Sequence, residues 1–167
     1  MRIVYLVSVW THVVAATAWL GGMLFLVFVV VPVMRRPDVQ RAAPDLLDWM
    51  SAQYHRLGWI ALGVLFVTGL LNLWYRGMPP TMLLEASSYA NPYVHIVAGK
   101  LAVFFLMVGL QAWHDFAIGP PAMEAWRRNP GGPEALRLRR LARWIGRVIF
   151  VLSLVLVAFG VVLVRGT

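Results

Sequence analysis

Two basic side chains sit at unusual depth in an otherwise apolar sequence. His12 lies inside the run from Ile3 to Val33, and Lys100 lies inside the run from Tyr93 to His114. Lys100 is the single lysine among 15 basic residues. Ionisable groups at such depth are costly and by default mark function. Lys100, Phe104, Met107, Gln111 and His114 recur at i, i+4, i+7, i+11 and i+14, which is one helical face. Where water is absent, a polar stripe must face protein or a cofactor, so this stripe is expected to point inward. His12, Ala16, Trp19 and Met23 form a comparable face, flanked by Ala15, Gly21 and Gly22. Small residues there let a neighbouring helix or a flat cofactor approach the backbone closely. The two runs point the same way through the membrane, which puts His12 and Lys100 at similar heights.

The chain has no cysteine, so the chemistry open to it is that of imidazole, thioether, amine and amide. One use of such an imidazole is as the axial ligand of a b-type haem in a slot between helices. The residues expected to face that cofactor are His12, Lys100, Trp19, Gln111 and His114, with the Lys100 charge free to pair with a propionate. The other use is a copper site, since imidazole suits copper in both states and thioethers suit Cu(I). His12, His95, Met78 and Met82 are its candidate ligands, although Lys100 opposes a bare cation at the height of His12. His55 and His114 fall near the opposite surface and His95 nearer the Lys100 side. No Walker loop, GxGxxG, HExxH or Ser-His-Asp pattern is present, so no catalytic residue is assigned and an enzyme is not the leading reading.

These residues need a scaffold, and composition defines it. Of 167 residues, 60% are hydrophobic and 13% charged, against about 45–50% and about 25% in soluble chains. This excludes a soluble enzyme domain and a disordered chain. The net charge of +8 does not indicate nucleic acid, because the arginines cluster in short segments between long apolar runs. Crossing about 30 Å of hydrocarbon takes about 20 apolar residues. Four segments qualify, at about 3–33, 57–75, 93–114 and 148–164. They do not alternate as barrel strands would. The expectation is one integral membrane domain over 1–167, an all-α four-helix bundle running up-down-up-down. The first span carries Arg2 and an Ala16-Thr17-Ala18 sequence like a signal peptide's, but its apolar run continues through Val33, so it reads as a retained helix. Pro37 to Gln53 reads as a separate short amphipathic helix, with Leu46, Leu47, Trp49 and Met50 on its lipid side. Pro130-Gly131-Gly132-Pro133 reads as a turn.

Charge gives an orientation. Arg35, Arg36, Arg41 and Arg56 follow the first span. Arg127, Arg128, Arg137, Arg139, Arg140, Arg143 and Arg147 precede the fourth. Only Arg2, Arg76 and Arg165 lie on the other side. By the positive-inside rule both basic loops are cytoplasmic and both termini periplasmic, in a bacterial inner membrane. The Arg137, Arg140, Arg143 and Arg147 face is expected to lie on anionic lipid.

The motifs resemble a known family. His12-Val-Val-Ala-Ala-Thr-Ala-Trp19-Leu-Gly21-Gly22 closing at Pro32 is similar to the first helix of CopD-type copper-resistance membrane domains. So are Thr68-Gly69-Leu70-Leu71-Asn72, Gly99-Lys100-Leu101, His114-Asp115-Phe116 before Gly119-Pro120, and Val164-Arg165-Gly166. The resemblance covers all four spans. It implies copper homeostasis, by uptake or tolerance, and a periplasmic copper-binding protein or a larger membrane complex as partner. His12 and Lys100 also resemble two positions of the HemJ group, four-helix haem-binding protoporphyrinogen oxidases, which implies haem b and an oxidoreductase as the alternative. A non-catalytic accessory subunit is a third reading.

Overall fold

The computed structural model describes residues 2–34, 36–39, 43–129 and 131–165. Four helical segments are long and apolar enough to cross a membrane: Arg2–Val33, Trp49–Tyr75, Pro92–Arg128 and Pro133–Val164. The chain is therefore a multi-pass, all-α membrane protein of the inner membrane.

The first span joins α1 (Arg2–Phe25) to the single turn α2 (Val31–Val33) through a π-helical turn, Leu26–Val30. Pro32 explains the wide turn: it has no N–H for the carbonyl four residues back, and its ring crowds that carbonyl. The second span belongs to α3 (Ala43–Tyr75). The short helix expected over 37–53 is thus not a separate element. From Ala43 onward it continues into the span, because nothing between Ala43 and Arg56 breaks a helix once Pro44 is placed in its first turn. Leu46 and Trp49 are exposed, while the side chain of Leu47 lies outside the described residues, as do Gln40 to Ala42.

Gly77 ends α3. Its φ of 80° and the bonds Met78 N to Leu73 O (3.2 Å) and Gly77 N to Trp74 O (2.9 Å) make a left-handed cap that a side chain at this position would strain. Two 3-10 turns, Pro80–Leu84 and Ala86–Ala90, lead to α4 (Pro92–Ala112). Asn91 caps it by accepting from Tyr93 N at 3.0 Å, with Pro92 in the first turn. A second π-helical turn, Trp113–Ile118, precedes α5 (Gly119–Arg128). Pro120 and Pro121 leave two carbonyls of that turn without their usual donors, which accounts for its widening. After the Gly131-Gly132 turn, α6 (Pro133–Arg165) forms the basic segment and the fourth span as one continuous helix. Pro130 lies outside the described residues.

α1 packs chiefly along α3, and α4 along α6, so the bundle consists of two helix pairs. The core joining them is Trp19, Met23, Ala61, Leu62, Met107, Ile118, Ile145 and Ile149. Close packing of α1 on α3 requires two glycines. A Cβ on Gly58 would lie 2.7 Å from the Trp19 ring, and one on Gly22 would lie 2.5 Å from the Tyr54 ring. Trp19 and Tyr54 stack at 5.9 Å between centroids.

Candidate functional site

The inward stripe of α4 is present: Met107 is 1% exposed and Gln111 5%, with Lys100, Phe104 and His114 half-buried. Its residues do not serve one site, however. Lys100 lies toward the end of the bundle that carries the chain termini, whereas Gln111 and His114 lie toward the end that carries the basic segments. The cofactor-facing set expected from sequence is divided between these two places.

At the basic end the organising group is Asp115, 4% exposed. Gln111 Nε2 donates to both its oxygens, at 2.7 and 2.8 Å. His114 Nδ1 donates to Oδ1 at 3.0 Å, His55 Nε2 to Oδ1 at 3.1 Å, and Trp59 Nε1 to Oδ2 at 3.2 Å. A carboxylate only accepts, so each imidazole carries its proton on the nitrogen facing Asp115. Four side chains from two helices thus replace the solvation that burial removed. Without them an isolated buried charge would cost several kcal/mol. The Tyr54 hydroxyl is within electrostatic reach of Asp115 and donates to Trp19 O at 3.1 Å. Sequence reasoning left Asp115, His55 and Trp59 out of the site. The available signal was the Gln111–Asp115 spacing of four residues, the pair geometry on one helix face.

Trp19 lies beside this cluster and is part of the core. Its Nε1 donates to Ser153 Oγ at 3.3 Å, and that hydroxyl donates to Ile149 O at 2.9 Å. This chain ties α1 to α6.

In the other half of the bundle, His12 Nδ1 and Thr68 Oγ1 are 2.7 Å apart, and Thr68 Oγ1 donates to Val64 O at 2.6 Å. Thr68 has one hydrogen and spends it on that carbonyl, so it accepts from His12 Nδ1–H. The lone pair of the neutral ring is then on Nε2. Holding one ring nitrogen as a donor is how a protein presents the other as a ligand. Gly69 gives the ring its place: a Cβ there would sit 3.5 Å from His12 Cε1. One turn further along α3, the Asn72 Oδ1 acceptor is buried without a partner. The charge of Lys100 is felt at His12, and its Nζ lies 3.9 Å from where a Cβ on Gly160 would be. Lys100 therefore faces the interior, between α1 and α6.

The terminal end is closed by Arg76. Its Nη1 donates to Leu163 O at 2.8 Å and Tyr93 Oη at 2.9 Å, and its Nε to Tyr5 Oη at 3.4 Å. One guanidinium thus touches all four spans. Tyr5 first, and then Tyr93, hold its pKa above the ordinary arginine value by accepting from the charged form.

The proposed copper ligands are not brought together. His95 is exposed, and its ring packs edge-on against Tyr89 at 5.4 Å. Met78 and Met82 are half-buried in the segment after α3, and no described contact joins them to His12. Among the described residues, no three His, Cys, Asp or Glu side chains converge as a metal site. Two shallow concavities lie around residues 125–135 and 133–141, and neither reaches His12.

A four-span helical bundle built of two helix pairs, with buried polar groups tying the pairs together, defines a class of small integral membrane proteins. Comparison with known sequences narrows it. The family described as copper resistance protein D, CopD, matches residues 48–163, and the chain belongs to that family. The match includes Lys100 and the Asp115 cluster and leaves out the first span with His12. An uncharacterised protein of Aquifex aeolicus (strain VF5) is 34% identical over 151 residues, covering 90% of this chain and 88% of that one. No solved structure matches.

Proposed function

We propose that this CopD-family protein handles copper in the bacterial inner membrane, with the ion as its cargo and His12 as the residue that meets it. The observation that carries the reading is the His12–Thr68–Val64 hydrogen-bond chain, which makes Nδ1 a donor and so puts the lone pair of the neutral ring on Nε2. Family membership supports copper as the cargo. The arginine distribution supports a periplasmic terminal end, so copper would reach His12 from that side, delivered by a periplasmic copper-binding protein or a larger complex. The repulsion from Lys100 argues for a transient contact and against a storage site.

The test is copper binding by purified protein, compared between His12→Ala and His55→Ala. Loss of bound copper is expected in the first and retention in the second. Equal retention in both would make His12 a packing residue.

A second reading, haem b, is favoured by one observation: the Lys100 charge is felt at an imidazole whose Nδ1 is held by Thr68. The residues supply a ligand and a cation for a propionate, but neither concavity described above lies beside His12, so the fit is incomplete. A Soret band in the purified protein, lost in His12→Ala, would establish haem in place of copper.

A further inference from the structure

The terminal end of the bundle collects hydrogen-bond donors, and among the described residues the only unpaired buried acceptor is the neutral amide oxygen of Asn72, with no carboxylate to match the two cations. Arg76 and Lys100 are within electrostatic reach of one another. Among the described residues neither is paired with a carboxylate. Of the seven acidic residues, Glu85 alone falls in sequence on this side, and it is exposed with no ion pair to either cation. The phenols add to the excess. Tyr5 and Tyr93 both accept from Arg76, so their own hydroxyl hydrogens are unspent, and neither donates to a described protein acceptor. Arg76 uses Nε and Nη1 and keeps Nη2. The ammonium of Lys100 is half-buried against Gly160 and has no hydrogen-bond partner among the described residues. Two like charges held near each other at the edge of a low-dielectric region repel, and a negative charge that joins them relieves that repulsion.

We propose that Arg76, Lys100, Tyr5 and Tyr93 form a binding site for an oxyanion, a phosphate or carboxylate group. Nη2 of Arg76, the two phenol hydroxyls and the Lys100 ammonium are its donors. The depth of the site favours a lipid headgroup as the source. Tyr5 packs against Tyr75 at 6.0 Å, and exposed Trp74 adjoins them, an aromatic group of the kind found at headgroup level. Arg76 is exposed at the terminal end, and Lys100 is half-buried beside Gly160, one turn of α6 from the Leu163 carbonyl that Arg76 holds. The bound phosphate would fasten all four spans through Arg76 and neutralise the charge that otherwise opposes a cation near His12. The site does not depend on copper being the cargo.

Full-length protein in a neutral detergent, titrated with phosphatidylglycerol and followed by native mass spectrometry, tests this. The basic face of α6 is the same in all variants, so any anionic lipid it holds is common to them and the difference between variants reads the proposed site. Lys100→Met is expected to lose one tightly retained lipid, with affinity down about tenfold or more, as for removal of one charge-assisted hydrogen bond. Tyr5→Phe with Tyr93→Phe keeps both rings and is expected to weaken the same lipid, which covers the case that Lys100→Met does not fold. Inorganic phosphate is the second probe. If it displaces the lipid, the site holds a soluble oxyanion; if it does not, the lipid is the ligand. Equal lipid retention and no phosphate binding in native, Lys100→Met and phenol-pair proteins of matched thermal stability overturns the proposal. His12→Ala should abolish copper binding and leave this site intact, so either reading can fail without the other.

Discussion

Asp115 shows how a single buried charge can organise the inside of a bundle. Its two oxygens take donors from Gln111, His114, His55 and Trp59, which leaves no lone pair for a metal ion. The carboxylate is therefore a structural anchor between α3 and α4, not an open ligand. Asp115→Asn should expose this dependence. The new amide nitrogen would face donors, and at least one of them would stay buried and unsatisfied, at about 1–3 kcal/mol for each such group. Thermal unfolding of the purified variant should move to clearly lower temperature. An unchanged midpoint would show that the five bonds contribute nothing net. His12 is a contrasting case at the same scale: the Thr68 hydroxyl and the Leu65 backbone hold its ring, and no carboxylate meets it among the described residues. That contrast could not be read from the sequence. His12, Lys100, Gln111 and His114 were legible because each interrupts an apolar run. Their partners were not, because Asp115 and His55 stand near a span boundary, where polar residues are ordinary. Their meeting depends on the rotation of two helices about 60 residues apart in sequence.

At the level of elements, the existence of four spans follows from hydrophobic length, so it was legible. What escaped was continuity. α3 begins at Ala43 and α6 at Pro133, well before the apolar runs that a hydropathy reading starts from. A helix does not stop where its side chains become polar; it stops where a residue breaks it, as Gly77 does. The two π-helical turns were also invisible beforehand, although Pro32, Pro120 and Pro121 were in view. The second turn matters more, since it sets the rotation that turns Asp115 inward. Glycines give an element-level prediction with an internal control. Gly58→Ala would force a methyl to 2.7 Å from a Trp19 ring already fixed by Ser153 and Tyr54. The ring cannot yield cheaply, so a loss of about 1–3 kcal/mol is expected. Gly63→Ala meets nothing within 4 Å on the same helix and should be neutral or slightly stabilising. Comparable thermal shifts for the two would mean that α1 and α3 are less tightly seated than described.

For the whole molecule, polar bridges do work that apolar packing does not. Each helix pair packs along its own length, and the pairs are tied to one another at three heights. Arg76 ties them at the terminal end, Trp19–Ser153 near the middle, and Asp115 toward the basic end. Between lipid tails and apolar side chains there is little to choose, so hydrogen bonds and close van der Waals contacts must hold the pairs together. Orientation in the membrane is the last property at this scale. It rests on eleven arginines flanking the basic end against three at the terminal end. Arg76 is bound to Tyr5, Tyr93 and Leu163, so all four spans have one end there, and a single orientation decides both termini together. Reporter fusions after Thr167 and at Gly131 should therefore give opposite answers, with Thr167 periplasmic and Gly131 cytoplasmic. A cytoplasmic Thr167 would invert the bundle. It would place His12 and the donor cluster around Arg76 toward the cytoplasmic leaflet, and delivery of copper from the periplasm to His12 would then be excluded, whatever the protein binds.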